Sequence, residues 1–260
     1  MLQFLATWTG VKPANVTPWR ASVTGDLTTA FDFANPDFSI PKNIPTLKQT
    51  WALTQLTGGS TTPPAEGAQK MPAQEPGTRP TNYQLHADVT VNRTTSTVTA
   101  ALTNTGTVGV SFAVYPDALL TFAATPVTVL PNAQGSYTRD ATATAEKYAF
   151  SVYGPDGFLT SFAGTVVPAG LNTGQVPVVT ATPQPAQPKT LELTLANQGH
   201  KAVVCTLTPN DYEGHTQTVT VNVGSPKTVS WPTDQYGYYD VVITASTGDG
   251  FRRRYAGRIA

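Results

Sequence analysis

The chain has 260 residues, a length that allows one large domain or two to three small ones. Its 16 basic residues balance its 16 acidic residues, so no long-range field recruits nucleic acid, and we expect no nucleic-acid partner. Its single cysteine excludes an internal disulfide and a cysteine metal cluster, and no run approaches the roughly 18 apolar residues of a membrane-spanning helix.

The first ten residues predict a short amphipathic helix that ends at Gly10, with Leu2, Leu5 and Trp8 on one face. This opening lacks the basic start and the cleavage site of a signal peptide. Further aromatic residues are scattered among Pro and Asn without a clear period. We therefore treat residues 1–57 as one segment whose aromatic side chains need burial against something outside it.

Two stretches predict linkers because they lack the apolar residues of a core. Residues 58–80 are rich in Gly, Pro, Thr, Ala and Gln, which is typical of an extended linker or a strap. Residues 171–188 contain a second, Pro-rich spacer. These linkers separate the N-terminal segment from two longer regions, residues 81–170 and 189–260.

The two longer regions are copies of each other, because the same residues recur 93 positions apart. A constant offset indicates one ancestral module that was duplicated, and such copies normally form separate units that each bury an apolar face. The residues Leu102, Asn104, Gly106, Pro116 and Gly157-Phe158 match Leu195, Asn197, Gly199, Pro209 and Gly250-Phe251.

Both copies show short runs of alternating apolar residues separated by Gly and Asn turns, which predicts strands. The chain is therefore predicted to be all-β, with two tandem antiparallel β-sandwich (Ig-like) domains. Phe112 and Trp231 are predicted core residues, and Cys205, at the repeat position of Phe112, is predicted to be a buried thiol. The predicted strands are 85–91, 98–102, 110–114, 127–129 and 148–152, then 191–195, 203–207, 219–223, 229–231 and 239–243.

The sequence predicts no catalytic residue, no metal ligand and no cofactor in this chain. A nucleophile elbow of the Gly-x-Ser-x-Gly type and a phosphate loop are both missing. The three histidines share no metal-site spacing with other ligands, and the N-terminal aspartates are interpreted as turn and cap residues rather than as ligands. These residues are His86, His200 and His215, and Asp26, Asp32 and Asp37.

One dense basic run has two interpretations. The residues are Arg252, Arg253, Arg254 and, close behind, Arg258, and the first repeat has no arginine at the positions that match the first three. The first interpretation is a charged strand that protects a sheet edge against self-association, or that pairs with Asp240 and Asp249. The second is contact with a lipid headgroup or another anionic surface, for which arginine forks are suited.

Several segments resemble bacterial phosphocholine-preferring phospholipases C. The run Gly-Asp-Leu-Thr-Thr-Ala-Phe-Asp-Phe resembles the end of their catalytic domain, and the Gly-Phe and Ala-Gly endings resemble their tandem C-terminal domains. Nearly the whole chain is covered. The segments are 2–11, 18–20, 25–33, 74–80 and 83–86, with the endings at 157–164 and 250–257.

The resemblance implies that this chain is the C-terminal part of a secreted or periplasmic enzyme. That enzyme would hydrolyse phosphatidylcholine, and often sphingomyelin, to phosphocholine and a lipid. Residues 1–57 would then be an irregular remnant of an α/β phosphoesterase domain. The family's catalytic and metal-binding residues would lie upstream, and none maps onto a position here.

The implied partners are the upstream catalytic phosphoesterase domain and a phospholipid membrane surface, and a monomer is expected. Two other functions stay open at this point. One is a cell-surface module that binds carbohydrate or lipid and has no enzymatic parent. The other is a purely structural spacer.

Overall fold

The computed structural model describes residues 2–36, 38–39, 83–117, 123–168 and 174–259. The chain divides into two compact units. Met1–Asp26 and Thr81–Ala260 form the first unit, and Leu27–Pro80 form the second. The predicted linker at 58–80 and Trp51 lie outside the described residues.

The predicted N-terminal helix is confirmed as α1 (Leu2–Thr9), which ends before Gly10. A second helix, α2 (Pro18–Val23), was not predicted because six residues are too few to show a helical period. Its start follows ordinary capping chemistry. Thr17 accepts a hydrogen bond from the Arg20 amide, and Pro18 occupies the first turn, where a missing N–H does no harm.

Fourteen strands follow in the described part of the chain, seven in each repeat. The first repeat contains β1 (Leu85–Asn92), β2 (Thr97–Asn104), β3 (Val110–Tyr115), β4 (Thr125–Val129), β5 (Ala133–Asp140), β6 (Lys147–Tyr153) and β7 (Leu159–Thr165). The second repeat contains β8 (Pro177–Gln184), β9 (Thr190–Asn197), β10 (Val203–Asp211), β11 (Gln217–Val221), β12 (Lys227–Pro232), β13 (Tyr238–Ala245) and β14 (Arg252–Arg258).

The all-β prediction is confirmed, since these strands form antiparallel sheets. Two small sheets, β1-β2-β5 and β8-β9-β12, belong to one repeat each. One large sheet of eight strands has the order β11-β10-β13-β14-β7-β6-β3-β4 and runs through both repeats. The predicted core residues Phe112, Cys205 and Trp231 are all fully buried.

Four strands lie where the sequence showed no clear alternation. The segment 177–184, expected within a Pro-rich linker, forms β8 instead and pairs along its whole length with β9. Strands β5 and β7 are rich in polar or small residues, so their patterns do not indicate strands. Strand β14 shows no apolar alternation either, although one interpretation of its arginine run is a charged strand. Their conformation comes from pairing with neighbours that are distant in sequence, and such context commonly overrides local propensity.

The two repeats are joined rather than separate, because β7 pairs with β14 in the large sheet. In this pairing Ser161 lies opposite Arg254, and these two residues are themselves 93 positions apart. The register is therefore symmetric. Where a residue of β7 pairs with a residue of β14, their counterparts 93 positions away pair with each other in the same way. This is the pattern of an isologous contact between two copies of one module, here within a single chain.

A matched asparagine stabilises the same turn in both repeats. Asn104 donates from Nδ2 to the Val108 carbonyl at 2.8 Å and accepts from the Gly106 amide at 3.0 Å. Asn197 donates to the Lys201 carbonyl at 2.6 Å and accepts from the Gly199 amide at 2.9 Å. Both side chains are buried, so these bonds satisfy polar atoms that would otherwise be costly to bury.

Replacing Gly214 by alanine is expected to destabilise the chain by about 1–3 kcal/mol. Gly214 has φ +123°, and an added Cβ would lie 2.5 Å from Cζ2 of Trp231. Gly224→Ala is the matched control, because Gly224 also has a positive φ (+69°) but open space around it. Urea unfolding should show a larger loss for Gly214→Ala. Equal losses would mean that backbone strain alone, and not the clash with the indole, explains the effect.

Candidate functional site

The predicted arginine run lies at the junction of the two repeats, on β14. Successive side chains of a strand point to opposite faces, and burial in β14 follows this alternation. Arg253 and Tyr255 are buried between the sheet layers, whereas Arg252 and Arg254 are half-buried on the other face. The four predicted arginines therefore have different environments and do not form one basic surface.

Arg254 is part of a charged pair on the outer face of the large sheet. Its Nε and Nη2 donate to the two carboxylate oxygens of Asp240 at 2.8 and 2.6 Å. Asn210 donates a further hydrogen bond to Asp240 at 2.9 Å. The hydrogen bonds with Asp240 raise the pKa of Arg254 further. The predicted pairing with Asp240 is thus confirmed for this arginine.

The remaining outer arginines differ in their contacts. Arg258 donates from Nε to the Tyr236 carbonyl at 3.1 Å, and its Nη1 lies 3.7 Å from a carboxylate oxygen of Asp156. Arg252 is half-buried, and its side chain makes no hydrogen bond or ion pair with any residue that the structure describes. Of the four, Arg252 is the one whose guanidinium is most available to an anionic surface.

The edge-protection interpretation of this run is wrong. Strand β14 lies inside the eight-stranded sheet, between β13 and β7, so it has no free edge to protect. Asp249, the other proposed carboxylate partner, instead accepts hydrogen bonds from Thr247 and from the Phe251 amide. The interpretation as a contact with an anionic surface stays a prediction.

Arg253 is almost fully buried, with 3% of its surface exposed. Its Nη1 donates to the Ala163 carbonyl at 2.8 Å, and its Nη2 donates to the Tyr148 hydroxyl at 2.6 Å. Its guanidinium carbon also lies 4.3 Å from the ring centre of Phe251 and 5.8 Å from that of Phe162. The faces of aromatic rings attract a cation through their quadrupoles, so these two rings offset part of the cost of burying the Arg253 charge.

A polar contact between the small sheets was missed by sequence reasoning. Asp88 on β1 accepts from the Ala181 amide on β8 at 3.0 Å and from the Tyr255 hydroxyl at 3.0 Å. Asp88 and Ala181 occupy matching repeat positions, so they meet at the same symmetric junction. An available signal was the aspartate itself, which stands in a strand where the second copy has an alanine.

Burial shifts the pKa values of Asp88 and of the nearby His86. It raises the pKa of Asp88 and is opposed by the nearby His86 and by the hydrogen bonds to the carboxylate. It also lowers the pKa of His86, with Asp88 acting in the opposite direction. Both shifts have the same cause: a charged group loses hydration when it is buried.

His86 is expected to make stability depend on pH below neutrality. Because its folded pKa is lowered, the unfolded chain binds the proton more readily. Stability is therefore full above the ordinary value of 6.5 and is lost as the pH falls through the folded pKa. Urea midpoints measured across this range should fall less steeply in His86→Gln than in the parent chain. His200→Gln, at an exposed position, is the control, and the same flattening there would contradict the assignment.

A pocket adjoins this junction, with a volume of about 120 Å³. Its walls come from the edges of β1 and β8, through Val89, Val91 and Val178, and residues near β14 complete it, among them Phe251 and Arg253. The pocket lies within the unit that contains both repeats. It combines apolar walls with a buried guanidinium.

The other candidate residues have ordinary environments. Burial raises the pKa of the Cys205 thiol to about 11, which is the opposite of what a nucleophile needs. Asp32 accepts from the Ala34 and Asn35 amides, as the predicted turn residue would. Asp37 lies outside the described residues. In the part of the chain that the structure describes, no group of three or more His, Cys, Asp or Glu residues could hold a metal ion.

Large apolar side chains are exposed near the N-terminus. On α1, Leu2 is 54% exposed, Leu5 40% and Trp8 75%, so the predicted apolar face exists but contacts little. Trp19 is 52% exposed, and its ring nitrogen donates to the Thr128 hydroxyl of β4 at 2.9 Å. Across the described residues, no helix is long and apolar enough to span a membrane.

Comparison with known proteins gives one consistent result. A family model described as "Bacterial phospholipase C, C-terminal domain" matches the chain twice, over residues 78–165 and 175–258. Non-hemolytic phospholipase C of Pseudomonas aeruginosa is 31% identical over 271 positions, which cover 100% of this chain and 38% of that protein. The protein of the same name from Burkholderia pseudomallei is 31% identical over 253 positions, covering 96% of this chain and 36% of that protein.

Hemolytic phospholipase C of Pseudomonas aeruginosa is also similar, at 28% identity over 100% of this chain and 40% of that protein. The chain therefore spans less than half the length of the curated relatives that it matches. The two matches of the family model fall on the two repeats, whose strands were described above. This chain belongs to the family of bacterial phospholipase C C-terminal domains.

Proposed function

We propose that this chain is the accessory, non-catalytic region of a secreted or periplasmic phospholipase C. The whole enzyme would hydrolyse phosphatidylcholine and sphingomyelin to phosphocholine and a lipid. The names of the relatives and their greater length support this proposal. In it, a phosphoesterase domain upstream of the chain carries the catalytic groups, and the two repeats brace that domain.

The observation that carries the proposal is the exposed apolar face of α1. Leu2, Leu5 and Trp8 share this face, and none of them is buried by the repeats. Burying a large apolar side chain stabilises a contact by about 1.5–3 kcal/mol, so three such residues supply a substantial part of a stable domain interface. The upstream phosphoesterase domain is the proposed occupant of this face.

The test compares the chain alone with the protein encoded by the complete reading frame that contains it. The longer protein should release the chromophore from a chromogenic phosphorylcholine ester, and the chain alone should not. Leu5→Ser combined with Trp8→Ser should loosen the domain contact in the longer protein. We expect faster cleavage by a protease near the N-terminal segment and a lower temperature of inactivation.

Val204→Ser combined with Val223→Ser is the matched control, since these exposed apolar residues lie on the second repeat. The control should leave protease resistance and inactivation temperature close to those of the parent. Turnover by the chain alone would refute the proposal. A complete reading frame without a phosphoesterase domain would refute it as well.

Contact with a phospholipid surface is the second part of the proposal, and Arg252 is its best candidate. Changing Arg254 would also break its pair with Asp240, so Arg252→Ser alone is the cleaner variant. We expect this variant to sediment less with anionic vesicles and to show a smaller dependence on salt. Retention on polysaccharide, with no vesicle binding, would favour the alternative of a carbohydrate-binding surface module.

A further inference from the structure

The pocket beside the junction has a shape that suits a small molecule. Its two walls are edges of different sheets, with Val91 on β1 and Val178 on β8. A hydrogen bond from the Ala181 amide to Asp88 joins the two edges, and the pocket includes the neighbouring residues of both strands. A cavity for one water needs roughly 10–15 Å³, so about 120 Å³ leaves room for a small solute.

The pocket is bordered by a buried cation that lacks a carboxylate partner. Two ion pairs occur among the described residues, and Arg253 belongs to neither of them. Its Nη atoms are engaged, but its buried Nε has no hydrogen-bond partner in that part of the chain. A buried charge without a counter-charge is costly, and aromatic faces offset this cost only in part.

The remaining charges around the pocket do not neutralise Arg253. Arg93 also borders the pocket, and it donates from Nε to the Val167 carbonyl at 2.7 Å. Asp249 is the one acidic residue of the lining, and its Oδ1 already accepts from the Phe251 amide. Two guanidinium groups therefore face one carboxylate, and the lining carries net positive charge.

The strand pairing does not need an arginine at this position. The residue of the first repeat that matches Arg253 is Thr160, 93 positions earlier. Thr160 is also buried and occupies the symmetric place in the pairing of β7 with β14. The same architecture is thus built with a neutral residue on one side of the junction and with a guanidinium beside a pocket on the other.

We infer that this pocket binds a small oxyanion, a phosphate or carboxylate group, with Arg253 as its main contact and Arg93 as a second positive charge. The planar guanidinium fork matches the geometry of such groups, and Arg253 lines the pocket without a carboxylate partner among the described residues. The valine walls suit a short apolar portion attached to the anion. This inference does not depend on the proposed phospholipase function.

Isothermal titration calorimetry of the whole chain tests the inference. The probes are inorganic phosphate, butyrate and hexyl phosphate, each against chloride at the same ionic strength. We expect saturable binding of at least one probe at one site per chain. Tighter binding of hexyl phosphate than of inorganic phosphate would identify an amphiphile headgroup as the source of the anion, and the reverse order would identify a free solute.

Two variants connect the binding to the pocket. Arg253→Lys keeps the charge but removes the fork, and Val91→Phe keeps the arginine but fills the space between the walls. Arg253→Lys should weaken binding by about tenfold or more, which corresponds to the loss of one good charged contact. Val91→Phe should weaken binding by a similar factor, because its ring occupies the space that the ligand needs. Arg20→Lys is the matched control, because it makes the same change at an exposed arginine that does not line the pocket.

The inference is overturned if none of the three probes binds saturably to the parent chain. It is also overturned if Val91→Phe, folded by circular dichroism, binds like the parent, or if Arg20→Lys alone loses binding. Should Arg253→Lys fail to fold, Val91→Phe still decides the question, because it leaves every hydrogen bond of Arg253 in place.

Discussion

Replacing Phe112 by alanine is expected to destabilise both repeats together, by about 3–5 kcal/mol. Phe112 lies in the first repeat, is fully buried, and packs edge-on against Phe158 with ring centres 5.5 Å apart. Because β7 and β14 pair directly, loss of the first repeat would expose the buried edge and the aromatic contacts of the second. A single cooperative transition should therefore shift as a whole.

Trp231, buried in the second repeat, is the reporter for this prediction. Its fluorescence is followed during urea unfolding, with Trp8, Trp19 and Trp51 replaced by phenylalanine in every chain compared. The midpoint seen by Trp231 should fall in Phe112→Ala. Tyr115→Ala, at a position 47% exposed, should leave it nearly unchanged. If the midpoint of Trp231 stays constant while part of the far-UV signal of the whole chain is lost at lower urea, the repeats unfold independently.

Asp240→Ala is expected to destabilise the chain by about 2–3 kcal/mol. Asp240 is 5% exposed and accepts three charged or polar hydrogen bonds, two from Arg254 and one from Asn210. Removing the carboxylate leaves a guanidinium, itself only 23% exposed, without its partner at the centre of the shared sheet. The loss is smaller than for a fully buried pair because water still reaches part of Arg254.

Arg254→Ser completes this experiment, because serine is what the first repeat has at the matching position, Ser161. The double variant Asp240→Ala with Arg254→Ser should be less destabilised than the sum of the two single changes, which measures the coupling of the pair. Arg252→Ser is the control and should stay within about 0.5 kcal/mol of the parent. Strict additivity in urea unfolding would contradict a direct coupling between Asp240 and Arg254.

The symmetric junction explains why corresponding residues of the repeats now differ. At an isologous contact, each residue near the axis meets its own copy, as Ser161 meets Arg254 and Asp88 meets Ala181. Two identical charged residues would repel each other at such positions. Once the two copies are in one chain, each position can change independently, so one side can carry a charge that the other side lacks.

The predicted arginine site shows which properties of a site can be inferred from residue type alone. The run Arg252 to Arg254 is visible in the sequence, and strand alternation correctly separates Arg253 from its two neighbours. Its surroundings depend on residues distant in the chain: Tyr148 and Ala163 around Arg253, and Asp240 beside Arg254. A side chain's charge is local information, whereas its burial and partners come from packing.

The sequence by itself determined the repeat, the strand-rich class, the buried positions of Phe112, Cys205 and Trp231, and the α1 helix, because all of these depend on local periodicity and on a constant spacing. Only the tertiary structure decided that β7 pairs with β14, that residues 177–184 form β8, and that a pocket adjoins Arg253. The physical reason is that hydrogen bonds between distant strand edges leave no periodic signature in the strands that make them.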